Sequence, residues 1–540
     1  MISRFVTSFW GIPMLGLRRT VVLILFLVIA PAVSLWGQTD EKEDPDWRIE
    51  PEKINIQVGD DRSLQLLDDS AQELNDATWS VDNPDLATVQ DEGGRQVLHA
   101  AKVGIVVVSA FWHGETRTRE IKIWSSVRPL PIGTNRWSTH DYHGHNIGDI
   151  PAVPTGDGPN MYSVEQFPSG DIYVRAIRED GIQVWTWLLP ERTRNTELVC
   201  GDWLGGVLLS ANHEDSYTLY AVGKDGELRW QRTIKGVRKA LAISTDHLVL
   251  VVNQSSDGSK VTVFGIDDKL GTPSFELPVP VSYEKEVNLK RDGTKISCVR
   301  GSSSTPLPAM ASKIMVNMDG NAYLAFSQRD WTLTTAECKP GQEIDPKDVA
   351  VARNDQLVLW KIEPDGALHT IVVEANKTKQ PLPVAATILA PTDALTTDNM
   401  NGTLISVRLS HANASGSTDE PADEFVYRVN LDGELVFRFL LPRYSGARKD
   451  DMVIGENNVA FATRGSFLVA FSLITGKELW RWQSDESDIS VFAALANGAC
   501  LVQTPTVLVE VASSTKAKTV FQGKAMMDWL GNMYRKHDKD

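Results

Sequence analysis

The chain has 540 residues, with 54 Lys and Arg against 70 Asp and Glu, so its formal net charge is −16. This length predicts about two to four domains, and the acidic balance argues against a nucleic-acid-binding protein, which needs a clustered basic face. Hydrophobic residues at 42% and charged residues at 23% are ordinary for globular protein and exclude wholesale disorder. Four cysteines are too few for a scaffold built from disulfides.

The first 37 residues have the pattern of an export signal. Arg4, Arg18 and Arg19 precede the apolar stretch 20–36, in which small residues come before a polar segment. Cleavage is expected after Ser34 or Gly37. The alternative is an uncleaved membrane anchor, because this stretch is at the lower edge of the length that spans a bilayer. A charged linker at 38–49 follows.

Residues 50–124 predict a small antiparallel β-sandwich, since about seven short strands with a period of two alternate with turns. The stretch TWSVDNPDLATV, followed by Gly94, Gly104 and a final alternating strand, resembles the bacterial Ig-like group 2 (BIG2) module. The resemblance implies a spacer or adhesion element. Trp79 of this stretch is expected to pack in the core.

The segment 125–158 is rich in Gly and Pro and is predicted to be a linker. It holds His140, His143 and His145, whose imidazoles could share a divalent metal with Asp141 or Asp149 as an oxygen ligand. Zinc sites rest on rigid elements and this segment reads as a loop. We therefore favour an exposed or interface loop and assign no metal residue.

Residues 159–523 repeat one theme, an apolar strand, a polar turn and a strand with an aromatic residue. Turns fall near residues 181, 226, 271, 330, 366, 433, 476 and 516. Their spacing of about 48 residues is typical of four-stranded propeller blades and not of a helical repeat. The prediction is an all-β chain, a sandwich followed by a β-propeller of eight blades, with seven as the alternative.

The repeats LYAVGKDGELRWQ and LVAFSLITGKELWRW resemble the pyrroloquinoline-quinone-like propeller repeat of outer-membrane-assembly propellers and quinoprotein dehydrogenases. The resemblance implies that one aromatic residue per blade docks on the next blade. The residues in this position are Trp230, Trp480, Phe437 and either Trp185 or Trp187.

A quinoprotein dehydrogenase would need two adjacent cysteines beside its cofactor. Cys200, Cys298, Cys338 and Cys500 are never adjacent. The sequence has no His-Glu-x-x-His, no Gly-x-Ser-x-Gly, no phosphate-binding Gly loop and no Cys-x-x-Cys. We therefore predict no catalytic residue, no cofactor-binding residue and no cofactor. Cys298 and Cys338 could form a disulfide in an oxidising compartment, with buried free thiols as the alternative.

The tail at 524–540 has apolar residues at 526, 530, 533 and 534, which fit a short amphipathic helix. We expect this helix to dock on its own domain, with docking on a partner as the alternative. Taken together, the sequence favours an exported, non-catalytic binding or scaffolding protein, periplasmic or on the cell surface. It would bind an envelope protein or polysaccharide and no nucleic acid. A divergent envelope enzyme (a quinoprotein-like oxidoreductase or a polymer hydrolase) and a surface adhesin are the alternatives.

Overall fold

A computed structural model describes residues 47–535 except for 53, 133–144, 157, 193–195, 294, 337, 382–385, 398–401, 413–422 and 444–450. Over these residues the regular elements are β-strands and one 3-10 turn at Pro346–Asp348. No helix in this part of the chain is long and apolar enough to cross a membrane. The predicted export signal or anchor at 1–37 lies outside the described residues.

The first domain is a sandwich of two four-stranded sheets. Its strands are β1 (Trp47–Glu50), β2 (Asn55–Gln57), β3 (Asp61–Asp68), β4 (Thr78–Val81), β5 (Ala87–Asp91), β6 (Gln96–Ala100), β7 (Gly104–Trp112) and β8 (Glu115–Trp124). The sheet orders are β1-β3-β6-β5 and β2-β8-β7-β4. Trp79 packs on core residues as predicted. The assignment to the bacterial Ig-like group 2 stays a prediction.

The sandwich begins before the predicted boundary. Trp47 and Ile49 are almost fully buried in β1, and β1 pairs with β3. The end of the predicted charged linker is therefore part of the first sheet, because these two apolar side chains alternate with exposed Arg48 in the manner of a half-buried strand.

The second domain is a β-propeller whose described residues form seven blades. Blades 1 to 3 consist of β9 (His145–Pro151), β10 (Met161–Gln166), β11 (Ile172–Ile177), β12 (Gln183–Leu188), β13 (Thr196–Gly201), β14 (Val207–Asn212), β15 (Ser216–Val222), β16 (Leu228–Lys235), β17 (Val237–Ile243), β18 (Leu248–Gln254), β19 (Val261–Asp267) and β20 (Pro273–Pro278). The first strand, β9, lies within the segment 125–158 that the sequence predicts to be a linker.

Blade 4 is joined to an additional sheet. The chain first forms β21 (Tyr283–Asp292) and β22 (Lys295–Pro306), then β23 (Met310–Val316), β24 (Ala322–Thr335), β25 (Glu343–Ile344), β26 (Val349–Ile362) and β27 (Leu368–Pro381). The strands of the blade itself are β23, β24, β26 and β27. We call the part formed by β21, β22, β25 and the extended halves of β24, β26 and β27 the arm.

Blades 5 to 7 return to the simple four-stranded pattern. They consist of β28 (Ala386–Thr397), β29 (Thr403–Ala412), β30 (Asp423–Val429), β31 (Leu435–Leu440), β32 (Met452–Ile454), β33 (Val459–Arg464), β34 (Phe467–Ser472), β35 (Glu478–Gln483), β36 (Ser490–Ala494), β37 (Cys500–Gln503), β38 (Val507–Ser513) and β39 (Lys516–Gln522). First strands of neighbouring blades, such as β23 and β28, lie side by side and form the inside of the ring.

The blade number is the smaller of the two that the repeat allowed. Arg329 and Asp330 do not form a turn, because both lie inside β24, a strand of 14 residues that continues from the blade into the arm. The turn counted there therefore does not mark a blade of its own.

The propeller core lies in layers between neighbouring blades. Middle strands are apolar throughout, as in Leu248–Val252, because both of their faces are covered by adjacent blades. The fourth strands alternate, as in β12 and β35, because only one of their faces packs on a neighbour.

An aromatic or branched side chain on the fourth strand of one blade covers the turn glycine of the next blade. Trp185 lies against Gly226, and its Nε1 donates to the Lys224 carbonyl at 2.7 Å. The other pairs are Trp230 with Gly271, Phe275 with Gly366, Ile371 with Gly433 and Phe437 with Gly476. Trp185, and not Trp187, therefore has the docking position in blade 1.

The predicted C-terminal helix is wrong. The tail forms a hairpin of β40 (Ala525–Met527) and β41 (Met533–Arg535). Asp528 fixes the turn, accepting hydrogen bonds from the Leu530 and Asn532 backbone amides, both at 2.9 Å. The hairpin does dock on its own domain. Met527 and Met533 pack on blade 7, while Met526 and Tyr534 contact Met161 of blade 1.

Candidate binding faces of the propeller

The propeller has two chemically different faces. Because neighbouring strands are antiparallel, turns between first and second strands lie on the same side as turns between third and fourth strands. The second-to-third turns and the connections between blades lie on the opposite side. We call these the sandwich face and the arm face, after what each one carries.

The sandwich domain lies against the first of these faces. Asn55 Nδ2 donates to Thr245 Oγ1 at 2.9 Å and to the Met318 carbonyl at 3.0 Å, and the Ile105 amide donates to the Pro154 carbonyl at 3.0 Å. These three acceptors belong to first-to-second-strand turns of blades 3, 4 and 1. The sandwich therefore contacts turns of three blades and not of a single one.

A second group of contacts is ionic. Lys122 Nζ lies 2.9 Å from His247 Nε2 and donates to the Thr245 carbonyl, while Glu120 approaches both side chains. Burial lowers the pKa of Lys122, and its nearest acid, Glu120, acts against that shift. Lys122 and His247 are thus largely covered between the two domains, and Glu120 lies at the exposed edge of this contact.

Beneath this contact, blades 2 and 3 share a buried ionic group. Asp202 and Asp268 are fully buried, and Arg229 pairs with both, with Nη2 3.3 Å from Asp268 Oδ1. Asp202 also accepts from the Gly206 amide at 2.7 Å. Burial and then the neighbouring Asp202 raise the pKa of Asp268 to about 7, and burial raises that of Asp202.

This carboxylate pair has the composition of an acid–base site but not the access of one. A general acid or base must come within hydrogen-bond reach of a substrate atom, and both side chains are covered by protein and bound to Arg229. We assign the pair a structural role in joining two blades.

The arm projects from the opposite face. Its sheet has the order β25-β22-β21-β24-β26-β27. A disulfide joins Cys298 of β22 to Cys338 in the β24–β26 connection, with the two Cα atoms 5.5 Å apart. This is the pairing that the sequence allowed. One side of the sheet has a small core of its own, which includes Leu289, Leu333 and Val351.

The other side of the arm sheet is open. Strand register places two rows of side chains across five strands, about 19 Å wide at roughly 4.8 Å per strand. The rows are Ser304, Lys285, Thr332, Ala352, Lys379 and Pro306, Tyr283, Asp330, Asn354, Lys377. None of these ten side chains is buried, and we call them the open arm face.

The open arm face differs in charge from the chain as a whole. Its two rows hold three lysines and one acid, Asp330, whereas the chain has a net charge of −16. Between the lysines lie small or polar residues, which leave the surface flat. Such a surface suits an extended or flat partner that has acidic groups.

Most of the candidate metal residues of the linker lie outside the described part of the chain. His140, Asp141 and His143 lie outside the described residues, and His145 begins β9 without a described side chain. Asp149 is half-buried in β9. Over the described side chains, no group of three or more His, Cys, Asp or Glu is arranged to hold a metal ion.

The chain matches no protein-family model and no curated protein. Among solved structures it is similar to a quinonprotein alcohol dehydrogenase-like protein from Bacteroides thetaiotaomicron, at 11% identity over 81% of this chain and 95% of that one, with a TM-score of 0.30. It is also similar to a quinohemoprotein alcohol dehydrogenase from Pseudomonas putida, at 11% identity over 72% of each chain and a TM-score of 0.31. A virginiamycin B lyase from Staphylococcus aureus gives 11% identity over 65% of this chain and 94% of that one, with a TM-score of 0.34. The assignment of a β-propeller rests on the blade sheets of this chain.

Proposed function

We propose that the protein is an exported, non-catalytic binding protein of the cell envelope, and that the open arm face binds its protein or polysaccharide partner. The observation that carries the proposal is that one propeller face is covered by the sandwich domain and the other carries an exposed sheet. The sandwich covers turns on one face, while the other presents a disulfide-bonded sheet with an uncovered side. A propeller offers a rigid support for such a surface.

The disulfide supports export. Structural disulfides persist in oxidising compartments such as the periplasm and the cell surface and are rare in the cytosol. Cys298 is buried in the arm core, so this bond holds the side of the sheet opposite the binding surface. The proposed export signal at 1–37 is consistent with that compartment.

The binding surface is tested by reversing charge on the arm. K377E/K379E changes two exposed lysines at alternate positions of a fourth strand, and K516E/K518E makes the same change on the fourth strand of blade 7. We expect a partner recovered from envelope extract by the wild-type chain to be lost with K377E/K379E and retained with K516E/K518E. Raising the salt concentration should weaken the same interaction, because exposed charges are screened.

Equal recovery of every envelope component by the two variants would show that the open arm face is not the binding surface. Export and the absence of catalysis are tested separately on protein purified from its native envelope. The intact mass should show loss of residues 1–34 or 1–37, and the visible absorption spectrum should be featureless. A quinone-like chromophore would contradict the non-catalytic role.

A further inference from the structure

The open arm face offers side chains to a ligand and not backbone groups. Each of its three middle strands, β21, β24 and β26, is paired on both sides, so their N–H and C=O groups are engaged within the sheet. An extended peptide binds a sheet through unpaired backbone groups at an edge. The edge strand β27 has Lys377 and Lys379 there, and lysines on an edge disfavour the addition of a strand. A ligand of this face is therefore recognised by side chains.

The centre of the face is flat. Thr332 and Ala352 lie opposite each other on β24 and β26, and both side chains are small. Protein interfaces depend on a few large side chains that fill pockets, and among the ten residues of this face only Tyr283 is aromatic. Such a surface is poorly suited to a folded protein and fits a thin chain that lies along it.

Positive charges lie at both ends of the rows. Lys285 on β21 and Lys379 on β27 are separated by three strand spacings, about 14 Å at roughly 4.8 Å each. All three lysines of the face are exposed. A single small anion spans one end of a row, whereas a polymer with carboxylates on successive units reaches both. The spacing therefore indicates a polyanionic chain.

Between the lysines lie groups that pair with hydroxyls. Tyr283, Asp330 and Asn354 are register neighbours in one row across β21, β24 and β26. A carboxylate accepts hydrogen bonds from hydroxyl groups, and an amide both accepts and donates. The central acid is unfavourable for a ligand that has only negative charge. It suits a ligand whose anionic groups alternate with hydroxyl groups.

We infer that the open arm face binds an acidic polysaccharide, a chain of sugar rings that have carboxylate groups. The lysines pair with the carboxylates, in hydrogen bonds strengthened by charge, and Asp330 and Asn354 pair with ring hydroxyls. This inference rests on the proposed function, because it names the class of partner for the same surface.

The test is calorimetric titration of the whole purified chain with polygalacturonate at low salt. One control polymer is carboxyl-reduced polygalacturonate, which has the same sugar chain without charge. The other is poly-L-glutamate, which has carboxylates without hydroxyls. We expect saturable binding of polygalacturonate and at least about tenfold weaker binding of both controls. K377E/K379E should lose this binding, and K516E/K518E should keep it.

Asp330 provides a second measurement. Attraction by charge alone predicts that Asp330→Ala and Asp330→Asn bind polygalacturonate equally, since both remove one acid. Recognition of hydroxyls predicts that Asp330→Ala binds at least about threefold more weakly than Asp330→Asn, which keeps an oxygen that accepts a hydrogen bond. Equal affinities of the two variants would contradict the inference. If either variant fails to fold, the comparison of the three polymers on the unaltered chain still decides.

Failure of this inference is distinguishable from failure of the proposed function. Absence of saturable polygalacturonate binding, or equal binding of either control polymer, would overturn the polysaccharide assignment. An envelope partner that protease destroys would overturn it as well, because that partner is a protein. In each case the surface itself would stand as long as K377E/K379E, and not K516E/K518E, loses the partner recovered from envelope extract.

Discussion

The indole of Trp230 lies directly over Gly271 of the next blade, where an added Cβ would come 2.7 Å from the indole Cγ. The indole Nε1 donates to the Asp268 carbonyl at 2.6 Å in the same turn. The turn glycine and the aromatic residue therefore form one contact between blades, and each explains why the other recurs in the repeat.

Gly271→Ala should destabilise the propeller more than a glycine substitution without an overlying ring. Gly271 has a φ of +68° and Gly498 one of +79°, but an added Cβ at Gly498 meets nothing within 4 Å. Left-handed backbone costs roughly 1–2 kcal/mol for a residue with a Cβ, and overpacking adds about 1–3 kcal/mol at Gly271 alone. Urea unfolding of G271A and G498A measures the difference, and equal losses of stability would refute the docking role.

The raised pKa of Asp268 makes a prediction about pH. Its folded-state pKa of about 7 lies above the ordinary value of 3.8. Its protonated form therefore stabilises the fold at low pH, and this contribution is lost as pH rises from about 4 through 7. Asp268→Asn keeps an oxygen that can accept from Arg229 and removes the titration.

The free energy of unfolding of wild type relative to D268N should fall by at least about 1 kcal/mol between pH 4.5 and 8, since one pKa unit corresponds to about 1.4 kcal/mol. Chemical unfolding at a series of pH values measures it. A pH-independent difference between the two chains would show that Asp268 does not titrate in this range.

Loss of the Cys298–Cys338 disulfide should loosen the arm and leave the blades intact. The bond closes a separation of 40 residues, for which the chain-entropy model gives about 4 kcal/mol. We expect reductant, or the variant C298S/C338S, to make β21–β22 sensitive to protease while the circular dichroism of the propeller is unchanged. Reductant should have no further effect on the variant, which separates this disulfide from the other cysteines.

Tyr534→Phe should weaken the hairpin of β40 and β41. We call it the closing hairpin because it contacts both blade 7 and blade 1. The Tyr534 hydroxyl is fully buried and donates to Asp528 Oδ2 at 2.9 Å. Removing a hydrogen bond to a buried carboxylate costs about 1–3 kcal/mol. Tyr283→Phe is the matched control, because Tyr283 is exposed on the arm and should change the melting temperature little. Equal shifts in the two variants would argue against a closing role for this contact.

The sequence revealed the blades because their turns combine a glycine with an aromatic residue on the following strand, as at Gly226 with Trp230 and Gly476 with Trp480. It did not reveal the arm, because β24 and β26 alternate apolar and polar residues in the arm as blade strands do. The sequence pattern of the arm therefore predicted a further blade, with its turn near Arg329.

The helix predicted for the tail was wrong because its apolar spacing also fits a hairpin. Residues 526, 530, 533 and 534 fit a helical period, but Met526 and Tyr534 face each other across a turn. Asp528 followed by Gly531 was the available signal for that turn.

The closing hairpin follows the seven blades that the described residues form, and it packs against both blade 7 and blade 1. A nascent chain that has completed its blades but not this hairpin has Met161 uncovered and its ring unsealed. During synthesis, such an intermediate exposes apolar surface and is prone to aggregate until the hairpin is added.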